Sequence, residues 1–260
     1  MITLTLERST TTPPTHHRGG TVLNILAIDT SSQSASCAVT EEGKLLGEFF
    51  TNVKLTHSQT ILPMVENLLE QTRVALPEIG LFAVTDGPGS FTGLRIGLSA
   101  VKGMAHALGK GCVGVSTLEA LAWNLSGMDA AVCPVLDARC SQVYTALFRS
   151  GGDFPERLAG DEAVSLSALE ERLKKFGERV FLVGDGAEMC YNMFKDRVAN
   201  LTLPSPALRF PRASSAALAA GRAYLRGDVL PPAYLAPAYL RLPQAERERL
   251  AKLTKEGSSI

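Results

Sequence analysis

The sequence contains no run of about 18 apolar residues, the length a helix needs to cross a bilayer, and no apolar stretch of secretory-signal type near its start. No membrane partner is expected, and the expected location is the cytoplasm. There is no excess of charge either. Lys plus Arg and Asp plus Glu both number 26, so no bulk positive field is available to hold a nucleic acid unaided. Any contact with RNA is expected to be local or to pass through a partner. Metal-ligand spacings are missing: Cys37, Cys112, Cys133, Cys140 and Cys190 form no CxxC pair and have no histidine at ligand spacing, and neither HExxH nor HxxxH occurs. These thiols read as reduced and mostly buried. The P-loop pattern GxxxxGK[ST] is absent, and the glycines at 87, 89 and 93 miss the GxGxxG spacing by one residue. What remains is a globular chain of 260 residues, 45% hydrophobic and 20% charged, long enough for one sizeable core or two smaller ones.

The stretch that is most informative spans residues 84–109, VTDGPGSFTGLRIGLSAVKGMAHALG. It reads as the end of a buried strand, a Gly/Pro turn and a long helix. Gly93, Gly97 and Ala100 share one helix face at spacings of four and three. An interior glycine costs a helix roughly 1 kcal/mol relative to alanine, so this flat face points to another backbone in close approach. That backbone belongs either to a neighbouring helix of the same chain or to a partner. The turn itself reads as a tight strand-to-helix connection rather than a phosphate loop.

Residues 1–22, rich in Thr with Pro13-Pro14 and Gly19-Gly20, read as a disordered tail. From residue 23 the pattern predicts three strands in a meander, a helix over 60–71 that tolerates Pro63 near its start, a strand at 81–85, the glycine-faced helix, a fifth strand at 112–115 and a helix at 117–125. The order then recurs in shorter form, with strands at 131–138 and 142–148, a poor third strand around 155–159, and later elements ending in a helix at 214–226. This predicts a first lobe over 23–126, a second, smaller lobe over 127–242 and a C-terminal tail over 243–260.

Two β-β-β-α-β-α-β lobes are the plan of the actin-like ATPase (RNase H-like) superfamily, an α/β fold with one mixed sheet in each lobe. In that superfamily the first hairpin turn contacts nucleotide phosphate, a place that Asp29, Thr30 and Ser31 occupy here and that Asp137 occupies in the second lobe. The alternative is that Asp29 caps its own turn.

The segments ILAIDTSSQSASCAV, HSQTILPMVENLL, VTDGPGSFTGLRIGLSAVKGMAHALG, GVSTLEALA and VLDARCSQVYTALF occur in this order and resemble the TsaB (YeaZ) family. The resemblance covers about residues 23–148 and extends loosely to PAYLR at 237–241. It implies an accessory role in forming threonylcarbamoyladenosine at position 37 of tRNAs that read codons beginning with A. TsaB is similar to the catalytic paralogue TsaD, whose HxxxH metal ligands correspond here to Thr117 and Leu121, so the resemblance implies no metal and no catalysis. It further implies a heterodimer with a TsaD homologue and a homodimer through the same first-lobe helices, with Met64, Leu68, Phe91, Thr92, Gly93, Arg95, Ile96, Gly97 and Ala100 at the seam. The ATPase TsaE would join the pair, and tRNA would be met only indirectly. No cofactor is expected of the isolated chain, with ATP or ADP placed at a joint surface with partners. The alternative is a nucleotide-dependent phosphotransferase or ATPase of the actin-like superfamily; a metalloprotease has no ligand cluster to support it.

Overall fold

The computed structural model describes residues 22–53 and 55–241. The expected tails at 1–22 and 243–260 lie outside them, Val22 excepted. The chain opens with β1 (Asn24–Asp29), β2 (Ala35–Glu41) and β3 (Lys44–Thr51), followed by α1 (His57–Thr72), β4 (Ile79–Gly87), α2 (Phe91–Ala107), β5 (Gly111–Ser116) and α3 (Thr117–Trp123). The β2–β3 turn places Glu42 and Gly43 at φ 49° and 82°, the left-handed pair that a tight hairpin requires. The sheet runs β3-β2-β1-β4-β5, antiparallel among the first three strands and parallel from β1 through β4 to β5.

Side chains of β1 alternate between two cores because strand residues point to opposite faces. Leu26 and Ile28, with Phe82 and Val84 of β4, pack beneath Ile61, Val65 and Leu68 of α1 and Leu94, Leu98 and Val101 of α2. Each such fully buried side chain contributes about 1.5–3 kcal/mol. The opposite face is small, with Ala27, Ala38 and Ala83. Onto it lies α6 (Ala213–Arg226), whose Ala213, Ala216, Ala217, Ala220 and Ala223 allow a close approach. The helix expected to complete the second lobe thus packs on the first, a correction to the 127–242 boundary. Its alanine face matches the alanine-lined side of the first sheet.

The second lobe repeats the same topology with β6 (Ala131–Asp137), β7 (Gln142–Arg149), β8 (Glu156–Ser165), α4 (Leu166–Leu173), β9 (Val180–Val183), α5 (Ala187–Phe194) and β10 (Leu201–Thr202), in the order β10-β9-β6-β7-β8. β8 is longer than the poor strand expected at 155–159. It is a polar edge strand whose pairing with β7 breaks register twice, so no clean alternation marks it. α1 starts at His57 rather than near Thr60, anchored by His57 Nε2 against the Ser32 carbonyl at 2.8 Å. Pro63 therefore lies inside the helix. Gln59, whose carbonyl it leaves without an N–H, is on the exposed side where water can serve it.

After α6 the chain runs back over the first lobe. Leu230 exchanges two hydrogen bonds with Cys112 on β5, both 2.8 Å, and Leu235 is buried in the α1–α2 core.

Candidate functional site

Three features bear on function: the turn after β1, the cleft between the lobes and the surface where α1 meets α2. The turn is closed from within. Asp29 is 0% exposed, and its Oδ2 accepts from Thr85 Oγ1 at 2.6 Å and Ser31 Oγ at 2.8 Å, while Oδ1 accepts from Ser31 N–H at 3.3 Å. Burial pushes its carboxyl above the usual range, with the bonds from Thr85 and Ser31 opposing. Thr30 Oγ1 donates to the Gly93 carbonyl at 2.8 Å, and Ser90 N–H donates to the Ser31 carbonyl at 2.7 Å.

This docking explains the glycines. A Cβ on Gly89 would stand 2.4 Å from the Ser31 carbonyl oxygen, one on Gly93 2.1 Å from the Thr30 carbonyl oxygen, and one on Gly97 2.5 Å from Thr30 Oγ1. The approaching backbone is the chain's own β1–β2 turn. Gly93 and Gly97 are therefore removed from the expected partner seam, as is Leu68, which is buried beneath the sheet at 1% exposure. Of Asp29, Thr30 and Ser31, placed by the superfamily plan at a nucleotide phosphate, Asp29 has its carboxylate oxygens engaged by three internal donors, whereas Ser31 lines the cleft between the lobes. Among the described residues no three His, Cys, Asp or Glu side chains gather where they could hold a metal ion. Thr117 and Leu121 are both fully buried.

The cleft between the lobes has a volume of about 720 Å³ and is lined by Ser32, His57, Asp137, Arg139, Asp185 and Arg241, among others. Asp137 caps its own hairpin by accepting from Arg139 N–H at 2.7 Å, and its N–H donates to Asp185 Oδ1 at 3.0 Å. Arg139, Cys140 and Ser141 follow one another at φ 61°, 54° and 55°, a left-handed turn that three non-glycine residues rarely adopt. Gly184, at φ 105°, lets the start of α5 close on β6, because a Cβ there would stand 2.2 Å from the Val135 carbonyl oxygen.

On the outer surface, a groove of about 570 Å³ runs between α1 and α2. Phe91, Thr92, Arg95, Ile96 and Ala100, five of the residues that the resemblance puts at a seam, line it together with Leu62, which is 51% exposed, and Ser99. Met64 lies across α1 in a second groove with Phe49 and Pro63. Leu62 and Ser99 were not foreseen. Their signal is helical phase: Ile61, Val65 and Leu68 fix the buried side of α1 and leave 62 outward, and Leu94, Leu98, Val101 and Ala105 do the same for 92, 95, 96 and 99 on α2. Tyr239 was also missed; its ring stacks on Phe91 at 4.9 Å and its hydroxyl accepts from Arg95 Nε at 3.0 Å. Several arginines that could offer local charge to RNA are engaged within the chain: Arg212 is bound to Glu48, Arg226 to Asp228, and Arg222 covers the Phe154 ring.

Two sheets of the same order and strand directions facing across one cleft define a two-lobed protein of the actin-like ATPase fold. A family model described as TsaD, tRNA N6-adenosine threonylcarbamoyltransferase, matches residues 45–249. The chain is 34% identical over 225 residues to the tRNA threonylcarbamoyladenosine biosynthesis protein TsaB of Bacillus subtilis (strain 168), covering 86% of this chain and 96% of that one. It is 30% identical over 228 residues to TsaB of Escherichia coli (strain K12), covering 84% and 95%. Among solved structures, YeaZ from Pseudomonas aeruginosa aligns with a TM-score of 0.71 at 26% identity, over 84% of this chain and 100% of that one. The chain belongs to the TsaB (YeaZ) family.

Proposed function

We propose that this chain is a non-catalytic subunit that activates a TsaD-type transferase in forming N6-threonylcarbamoyladenosine at position 37 of tRNAs reading codons that begin with A. The observation that carries this reading is the α1–α2 groove. It is an apolar, concave surface built on two rigid helices, on the lobe where family resemblance puts the partner, with Phe91, Ile96 and Leu62 as anchors and one charge, Arg95. The inward commitment of Asp29 and the buried Thr117 and Leu121 support a role without chemistry of its own. In this reading TsaE docks on the pair, a second copy of the chain competes for the same groove, tRNA is met through the assembly in the cytoplasm, and ATP or ADP belongs to a joint surface with partners.

The test is threonylcarbamoyl transfer to unmodified tRNA from preformed threonylcarbamoyl-adenylate by TsaD and TsaE, with and without this chain. The expected result is silence from this chain alone, transfer restored in the mixture and co-elution with TsaD. Nucleotide turnover by the isolated chain, with no effect on the mixture, would instead favour a phosphotransferase or ATPase.

A further inference from the structure

Residues 231–241 carry no periodic pattern, yet apart from two local turn bonds their polar contacts tie one part of the molecule to another. The Leu235 carbonyl accepts from Lys102 Nζ on α2 at 2.9 Å. Ala238 N–H donates to the Asp86 carbonyl at 2.8 Å, and Gly87 has no side chain because a Cβ there would stand 2.5 Å from the Ala238 carbonyl oxygen. Tyr239 stacks on Phe91 and accepts from Arg95, whose guanidinium carbon lies 3.9 Å from the Phe91 ring centre. Two residues further on, Arg241 Nη1 donates to the Ala138 carbonyl at 2.9 Å, in the β6–β7 hairpin of the second lobe.

Phe91 and Thr92 form a wall common to the outer groove and the interlobe cleft. Arg95 is the one charged side chain that lines the groove among the described residues, so a partner surface that complements it presents apolar side chains around a carboxylate. Such a carboxylate takes the Nη donors of Arg95 while its Nε stays on the Tyr239 hydroxyl, so docking holds the strap in place. The element at the far end is the hairpin that holds Arg139, Cys140 and Ser141 in their left-handed turn; Asp137 accepts from Arg139 N–H, the Arg139 carbonyl from Gln142 N–H and the Ser141 carbonyl from Leu166 N–H, and Arg241 reaches it at the Ala138 carbonyl.

We propose that this strap couples docking on the α1–α2 groove to the β6–β7 hairpin, so that the bound partner sets the order of the second lobe's cleft wall. The inference rests on the reading that a TsaD-type subunit occupies the groove and adds how that contact reaches the other lobe.

The test is hydrogen exchange on the full chain with and without a TsaD subunit, following residues 92–100 for the groove and 137–142 for the hairpin. In the wild-type chain both segments are expected to slow, the hairpin by about fivefold, the worth of one hydrogen bond. Arg241→Ala is expected to keep the groove protection and lose that of the hairpin; Tyr239→Phe, which keeps the stack and removes the bond to Arg95, should give a partial loss. Groove protection without any change at 137–142, or hairpin protection unaltered in Arg241→Ala, overturns the coupling and leaves the docking reading standing. If residues 92–100 show no protection in the wild-type chain, both fall.

Discussion

Gly93→Ala tests whether the glycine face of α2 serves the chain's own fold or a partner. Gly93 lies in the first turn of α2, where alanine gains at most about 1 kcal/mol over glycine if nothing else changes. Here its Cβ would stand 2.1 Å from the Thr30 carbonyl oxygen, a backbone atom with no rotamer to move away. Helix and turn must separate, at about 1–3 kcal/mol for overpacking. Separation also strains the Thr30–Gly93 and Ser90–Ser31 hydrogen bonds, each worth about 1 kcal/mol. The expected net loss is about 2–4 kcal/mol, or roughly 6–12 °C in Tm for a chain of this size. Gly103→Ala is the control: the same helix, with nothing within 4 Å of the new Cβ, and an expected gain of about 0.5–1 kcal/mol. Thermal unfolding of the isolated chain decides. If Gly93→Ala melts at or above wild type, as the control should, the turn does not hold the helix and the face is free for a partner.

Arg95→Glu reverses the groove's one charge at an exposed site, so TsaD binding by titration calorimetry should weaken about tenfold or more while Tm stays within about 2 °C. Asp86 is pushed up to about 7, first by burial and then by the nearby carboxylates of Asp161 and Glu119. The folded chain therefore holds a proton that the unfolded chain releases near pH 4, and stability falls as pH rises from about 4 to about 7, by at most about 4 kcal/mol. Asp86→Asn should flatten that slope and raise Tm at pH 8; an unchanged slope refutes the assignment. Four of the five cysteines are buried, with thiols pushed up to about 11 or 12, and Cys140 alone is exposed. A thiol reagent should find one fast site per native chain, and Cys140→Ser should remove it.

Much of the architecture could be read from the residues because buried strands and amphipathic helices carry their periods openly, and β1 to β5 with α1 and α2 are the clearest instance. The glycine stripe was seen but its direction was not. A missing side chain records that something comes close, and only the β1–β2 turn standing against Gly93 says what. The same ambiguity sent α6 to the wrong lobe, since an alanine face fits any flat sheet. β8 was read only in its first few residues because it is a polar edge strand with two breaks in register, and residues 231–241 were not read because their role is set by contacts far away in sequence. The groove was half legible. Phe91, Thr92, Arg95, Ile96 and Ala100 came from the resemblance, whereas Leu62 and Tyr239 needed the packed helices to show which side remained open.

The late position of α6 and of the strand-like segment behind it has a consequence for synthesis on the ribosome. The face of the first sheet formed by Ala27, Ala38 and Ala83 is covered chiefly by residues 213–223, with Ala120 of α3 beside them, and Leu235 is a member of the opposite core. The first lobe to be translated is therefore the last to be finished. The second-lobe core, built from residues 131–201, has all its parts in the nascent chain while the earlier sheet still waits for its cover. With translation at about 5–20 residues per second, that alanine face stays open for seconds, long enough for a chaperone to find it and for a truncated product to be recognised as incomplete.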